Sequence, residues 1–328
     1  MSEVTIRGCG LAGTLLGWRL WQRGMRFRIE GDRGVGASWA AAGLVNPITG
    51  KGMNASWRLR EFLEEMKAFY SEAALLLKQN YFREKPVLRI FASEKERQKF
   101  EAKRALLEPW IGQVYPDLDD VKGGQWGGVH WHGGGWLDVK GFVTDSMAFF
   151  AKNPVSKLSP EVSVYCEGAK GLRGGPFSWL PQRLAKGQIV EVEVPGWNED
   201  RILNRNGWCI PIGKDRYRVG ATYEWETLSG EPTTDGRAKL EELVAEFTEL
   251  PFRVLNQVAG IRPIVRTSQP VIGAHAKLPK TYVFNGLGSK GCLYGPKASQ
   301  ELVTHLLDGK KIDPELDVRF LQDAAEQA

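Results

Sequence analysis

Cysteine is scarce. The chain has 328 residues and four cysteines, Cys9, Cys166, Cys209 and Cys292, far apart and with no Cys-x-x-Cys pair or Cys/His cluster. That pattern argues against a disulfide framework and a structural zinc site, and it makes a reducing cytoplasm the expected compartment. Histidine is as sparse. His130 and His132 flank Trp131, where a strand would turn both to one face, but no third ligand accompanies them and no metal site is expected. No apolar run reaches membrane-spanning length, and the N-terminal residues read as a strand rather than a cleaved leader. Ser/His/Asp and Walker-type constellations, internal repeats and low-complexity tracts are all missing. Neither sign of charge dominates, since the net charge is +5. Residues 1–60 do carry nine Lys/Arg against three Asp/Glu. A solvated basic face is the simpler account of that excess, and recruitment of an acidic partner such as RNA is the alternative.

The remaining composition is that of a soluble globular protein, 42% hydrophobic and 25% charged, long enough for two domains or one large one. Its twelve tryptophans suit large packed interfaces or a ligand cavity. The most informative stretch is Gly8-Cys9-Gly10-Leu11-Ala12-Gly13, between a short alternating strand (Val4 to Arg7) and a helix. Gly8 permits a tight turn, Gly10 lets backbone approach a pyrophosphate, and Gly13 lets the helix pack closely on the strand. The helix opening at Leu11 and Ala12 offers free N–H groups and the positive end of its dipole to phosphates. Leu15, Leu16, Leu20 and Trp21 give that helix an apolar face, Gly24 is its expected stop, and Phe27 to Glu30 reads as the next strand. Glu30, 22 residues after Gly8, is placed to accept hydrogen bonds from a ribose diol. An acidic residue there disfavours a 2′-phosphate, so FAD or NAD is expected over NADP.

Further along, helices are expected over about Trp57 to Gln79, Ser93 to Leu107 (Ser93 and Glu96 spaced as a capping box), Val139 to Ala151, Leu240 to Phe247 and Pro296 to Leu307. Strands are expected at Pro86 to Phe91, Val162 to Cys166 (followed by Gly168), Gln188 to Val194, Trp208 to Pro211, Arg216 to Thr222 and Thr281 to Phe284. Parallel βα elements at both ends and antiparallel strands between them predict an α/β fold, with a Rossmann-like cofactor domain and an inserted antiparallel-sheet substrate domain. The expected boundaries are 1–80, 136–172 and 257–328 for the cofactor domain, and 81–135 and 173–256 for the substrate domain.

Four segments, in order along the chain, resemble the D-amino-acid-oxidase-like superfamily of FAD-dependent oxidoreductases. They are Gly8 to Gly13 with Glu30; Gly36-Ala37-Ser38 through Gly43-Leu44; Gly260-Ile261-Arg262-Pro263 with Pro270-Val271-Ile272-Gly273; and Asn285-Gly286-Leu287-Gly288-Ser289-Lys290-Gly291. The resemblance implies FAD, held non-covalently because no cysteine stands where the family attaches flavin. Ser38, Gly43, Leu44 and Gly168 join the first motif as expected cofactor contacts. Backbone N–H groups of Gly286, Gly288, Ser289, Lys290 and Gly291 would face the flavin and stabilise charge on its reduced form. Lys290 would add positive charge there; a solvated lysine is the alternative.

For the substrate, the resemblance points to Arg262, which in amino-acid-oxidising members grips a carboxylate by a bidentate pair. Arg266 is nearby without a motif match. Trp208 stands where such members tend to place a tyrosine before Ile-Pro, and it has one donor and no acidic hydroxyl. Tyr223 is the substitute hydroxyl. The stretch from Val139 to Gly168 is shorter than the family's usual one. The implied activity is oxidation of a C–N bond in an amine or amino acid by hydride transfer to flavin N5, with molecular oxygen as acceptor. An RNA-modifying flavoenzyme and a non-catalytic flavin-binding protein are the alternatives.

Overall fold

The strand Val4–Arg7 lies inside a five-stranded sheet, where Val4 and Ile6 are wholly buried. It pairs in parallel with Phe27–Glu30 on one side and Val162–Tyr165 on the other. Thr281–Asn285 adds a further parallel strand, and Val271–Ala274 closes the edge in the antiparallel sense. The computed structural model describes residues 2–265 and 268–321, so Arg266 lies outside the described residues.

The helix Leu11–Gln22 connects the first two strands and buries Leu15, Leu16, Trp18 and Leu20. Gly24 ends it in the left-handed region (φ +69°) and donates to the Trp21 carbonyl at 2.8 Å, as the expected stop requires. Trp18 stacks on Phe149 (centroids 4.9 Å apart) and its indole N–H donates to Ser146 Oγ at 2.8 Å. This fastens the first helix to the helix Val139–Lys152.

The antiparallel strands form an eight-stranded sheet in the order Arg253–Arg262, Ala185–Glu193, Arg216–Gly220, Gly207–Gly213, Ile202–Arg205, Val87–Ile90, Gly128–Trp131, Ile111–Tyr115. Only the Ile202–Arg205 and Val87–Ile90 neighbours run parallel. Side chains alternate across it with period two. Val190, Val192, Leu203, Cys209, Val219 and Leu88 pack with Leu240 and Val244 of the helix Thr234–Phe247, while Ile189, Ile210, Ile202, Val87 and Trp131 join the main core on the opposite face. A small third sheet pairs Gly135–Leu137 with Leu44–Val45 and Phe82–Glu84.

Three elements depart from the sequence expectation. The ten-residue strand Arg253–Arg262 has no counterpart in it. This is an edge strand with neither face cleanly buried, so it lacks the alternation that marks a half-buried strand. Its residues 257–262, expected in the cofactor domain, pair with Ala185–Gln188 and neighbouring residues of the eight-stranded sheet. The last helix runs Gly291–Asp308, so Pro296 lies inside it rather than at its start. A proline there removes one donor near the helix start, and packing of the buried Leu293, Ala298, Leu302 and Val303 face outweighs that loss. The helix Thr234–Phe247 begins six residues before Leu240, capped by Thr233 Oγ1 accepting from Gly236 N at 3.1 Å.

The basic excess of residues 1–60 is neutralised in space. Among the described residues Arg7, Arg19, Arg23, Arg26, Arg28 and Arg58, six of the nine cations, form ion pairs with Glu30, Glu65, Asp308, Glu3 or the Glu61, Asp313 and Glu315 group.

Candidate active site

The glycine turn sits at the carboxyl end of the first strand, where ligands collect in open parallel sheets. Gly8 (φ +124°) takes a conformation that L side chains rarely adopt, and a Cβ there would overlap the Cys166 carbonyl. A Cβ at Gly13 would overlap the Gly8 carbonyl itself, so helix and turn touch backbone to backbone. At Gly10 a Cβ would stand 2.9 Å from Ser38 Oγ. Ser38 Oγ accepts from Leu11 N at 2.9 Å, so the second motif is already laid across the helix N-terminus. Leu11 and Ala12 are buried. Glu30 ends the second strand and is held by two arginines that sequence reasoning did not single out, Arg7 at 3.3 Å and Arg28 at 3.0 Å.

Gly43 (φ +77°) fits only because it has no side chain, since a Cβ would overlap the Leu137 carbonyl. Leu44 follows it in the three-stranded sheet, paired with Trp136. Two polar atoms in this stretch, Trp39 Nε1 and Asn46 Oδ1, are buried with no hydrogen-bond partner among the described residues. Unpaired buried polar atoms are costly, and a bound polar ligand would satisfy them.

The fourth motif closes on the first. Gly291, first residue of the last helix, lies close to Leu11, with Leu11 Cδ2 3.3 Å from a Cβ built on it, so two helix N-termini start side by side. Gly286 (φ +74°) and Gly288 (φ +53°) bend the loop. Asn285, quoted in the motif but not selected as a site residue, ties it down: its Nδ2 donates to the Gly168 carbonyl at 2.9 Å and its Oδ1 accepts from Gly286 N at 2.9 Å. Gly168 thereby joins this loop. Ser289 is exposed. Lys290 is not a solvated lysine: Nζ donates to Thr49 Oγ1 at 3.2 Å and Ser56 Oγ at 3.1 Å, no ion pair forms among the described residues, and burial pushes its pKa down.

Arg262 ends the edge strand of the large sheet. Its guanidinium lies over Gly187, where a Cβ would overlap it. Nη1 donates to the Lys186 carbonyl at 3.2 Å and Nη2 to the Thr222 carbonyl at 3.1 Å. Tyr223 places its ring 4.6 Å from the guanidinium carbon, and Trp225 lies 4.7 Å beyond. Among the described residues no carboxylate pairs with Arg262, and burial lowers its pKa. Arginine nonetheless stays charged, so this corner holds a cation without a counter-ion. Trp208 lies beside Gly220 on the face that carries Ile189.

The strand bearing Arg262 bridges the cofactor segments. A Cβ at Gly260 would lie 3.0 Å from Ala40 Cβ and 3.1 Å from Ala37 Cα, on either side of Ser38. Pro263, next after Arg262, accepts from Gly288 N at 3.1 Å. Arg262 and Tyr223 are thus in contact, and one hydrogen bond joins their corner to the loop of Lys290. His130 and His132 lie elsewhere, at the far end of the large sheet, with His130 Nδ1 3.2 Å from Tyr115 Oη. The described residues contain no group of three or more His, Cys, Asp or Glu arranged to hold a metal ion. All four cysteines are buried and free.

Residues 3–305 match the family model described as DAO, FAD dependent oxidoreductase. Among solved structures the chain is similar to glycine oxidase from Geobacillus kaustophilus (TM-score 0.78, 21% identity, covering 95% of this chain and 96% of that one). It is also similar to iminodiacetate oxidase from Chelativorans sp. (0.77, 16%, 95% and 96%). L-proline dehydrogenase from P. horikoshii gives a TM-score of 0.76 at 14% identity, covering 94% of each chain. At these identities the likeness establishes the fold.

Proposed function

The chain belongs to the FAD dependent oxidoreductase family, and on that premise we propose that it oxidises the C–N bond of an amine bearing a carboxylate. The observation that carries this is Arg262: a buried guanidinium with no carboxylate partner among the described residues, on a strand that contacts both the Ser38 segment and the Gly288 loop. The chain offers FAD a fitting site. Gly8, Gly10 and Gly13 make room for a pyrophosphate beside the N–H groups of Leu11 and Ala12, Glu30 takes the ribose, and the loop from Gly286 to Gly291 with Lys290 faces the isoalloxazine. When bound, FAD supplies a hydride acceptor at N5.

The protein's own contribution is orientation and charge. Each terminal nitrogen of Arg262 carries two N–H groups and gives one to a main-chain carbonyl, so one on each is left to form a parallel fork on a carboxylate. Tyr223 shields the guanidinium from water on its ring side, which strengthens its hold on an anion. In this proposal the five-stranded sheet and its loops hold the cofactor and the eight-stranded sheet, including residues 257–262, bears the substrate. Molecular oxygen is the proposed acceptor, so amine and oxygen give imine and hydrogen peroxide. RNA is not part of the proposal, because most of the N-terminal cations are already paired.

The test is anaerobic bleaching of the flavin by glycine, D-amino acids and N-methyl amino acids, followed by peroxide release in air. Bleaching by acids and not by the corresponding amides is the expected result. A flavin that dithionite reduces and the whole panel leaves yellow would sink the proposal.

A further inference from the structure

Behind Arg262, on the face of the sheet that meets the helix Thr234–Phe247, lies a buried polar knot that catalysis as outlined above does not use. Gln188 is completely buried, yet its amide is fully engaged. Nε2 donates to Glu224 Oε1 at 2.8 Å and Thr233 Oγ1 at 2.9 Å, while Oε1 accepts from Thr233 N at 2.8 Å and Gln257 Nε2 at 2.9 Å. Thr222 Oγ1 donates to the same Glu224 oxygen at 2.8 Å and accepts from Gln188 N at 3.0 Å. The main chain is locked in parallel: Thr222 N donates to Gln188 O at 3.1 Å, and Lys186 and Glu224 exchange N–H···O bonds of 2.8 and 3.0 Å. Gly236 leaves the room, since a Cβ there would overlap the Gln188 amide.

Every one of these bonds converges on two groups, the carbonyls of Lys186 and Thr222, and those are the acceptors that aim the Arg262 guanidinium. We propose that Gln188, with Glu224 and Thr222, is a positioning device for Arg262, holding both carbonyls so that the free N–H groups form a fork matched to a carboxylate. This rests on Arg262 being the carboxylate clamp. A saturated buried network suits the task, because a lost partner leaves the others unsatisfied and the backbone shifts to find new ones.

The test titrates FAD-loaded protein with acetate and benzoate, following flavin absorbance, with acetamide and benzamide as uncharged controls. Wild type is expected to bind the acids and not the amides, and Arg262→Ala to lose the acids. Gln188→Leu is expected to weaken acid binding about tenfold and raise KM for an oxidised amino acid in proportion, with kcat and flavin content little changed. The exchange Gln188→Glu with Glu224→Gln, which keeps one amide and one carboxylate in the knot, is expected to recover most of the loss. If Gln188→Leu binds acids like wild type while Arg262→Ala has lost them, the positioning role is overturned and the clamp stands. If Arg262→Ala binds acids like wild type, or wild type binds none, clamp and positioning role fall together. Should Gln188→Leu not fold, Thr222→Val and Thr222→Ser decide: weakening in the valine variant alone is expected, and equal binding in both overturns the proposal.

Discussion

At the Gly8 turn the neighbours that matter are backbone atoms: the carbonyls of Cys166 and Gly8 stand where a side chain would be. At Arg262 they are the carbonyls of Lys186 and Thr222, held in place by side chains from Gln188, Glu224 and Thr222. The first region is made by omission and depends on residues adjacent in sequence. The second is made by addition and depends on contacts across 76 and 40 residues of chain. One consequence is a difference in fragility. A backbone site fails all at once when any Cβ is added, whereas a side-chain site degrades by steps as its supports are removed.

The sharpest break of this contrast is Gly13→Ala. Its methyl group has no space beside the Gly8 carbonyl, so a cost of roughly 3 kcal/mol or more is expected. The protein should purify without flavin and melt lower, as absorbance and calorimetry would show; a yellow, stable variant would mean the turn yields more than its geometry allows. Next in size is Gly187→Ala. It adds one methyl under the guanidinium, and a shift costing about 1–3 kcal/mol should raise KM for an amino acid about ten- to a hundredfold while flavin content holds. A matching loss of flavin would erase the distinction between the regions. Glu30→Gln should weaken FAD binding about tenfold, the loss of one charge-assisted hydrogen bond, with little change in melting because the Arg7 and Arg28 pairs are half exposed. Fluorescence titration of the stripped protein would measure it.

The smallest expected effect is on pH dependence. Burial lowers the pKa of Lys290, so the unfolded chain binds that proton more tightly than the folded one. Stability of flavin-free protein should therefore rise as pH climbs from the depressed value into the ordinary lysine range. Lys290→Met should flatten that part of the curve; superimposable slopes for the two proteins would show that the lysine carries no buried charge.

The same contrast accounts for what the sequence disclosed. Gly8, Gly10, Gly13 and Glu30 lie within one βαβ unit, where spacing alone fixes their relation. Gly286 to Gly291 was legible as a loop before a helix, though Pro296 drew the expected helix start five residues too late. The strand Arg253–Arg262 was hidden because an edge strand with mixed burial has no period to detect. Gln188 was hidden for another reason. It begins a run of alternating residues as the polar member, and nothing local says that its amide is buried and saturated by Thr233, Glu224 and Gln257.

The close approach at Gly260 has a consequence for selectivity. With only glycine and alanine between the strand of Arg262 and the segment of Ser38, no adjustable side chain lies in that gap. In the proposed chemistry the clamp and the cofactor are then set apart by backbone alone, as the jaws of a fixed gauge are. Such a gauge sorts candidates by the span from carboxylate to reacting carbon and tolerates variety in whatever projects past Tyr223 and Trp225, both about half exposed at 47% and 52%.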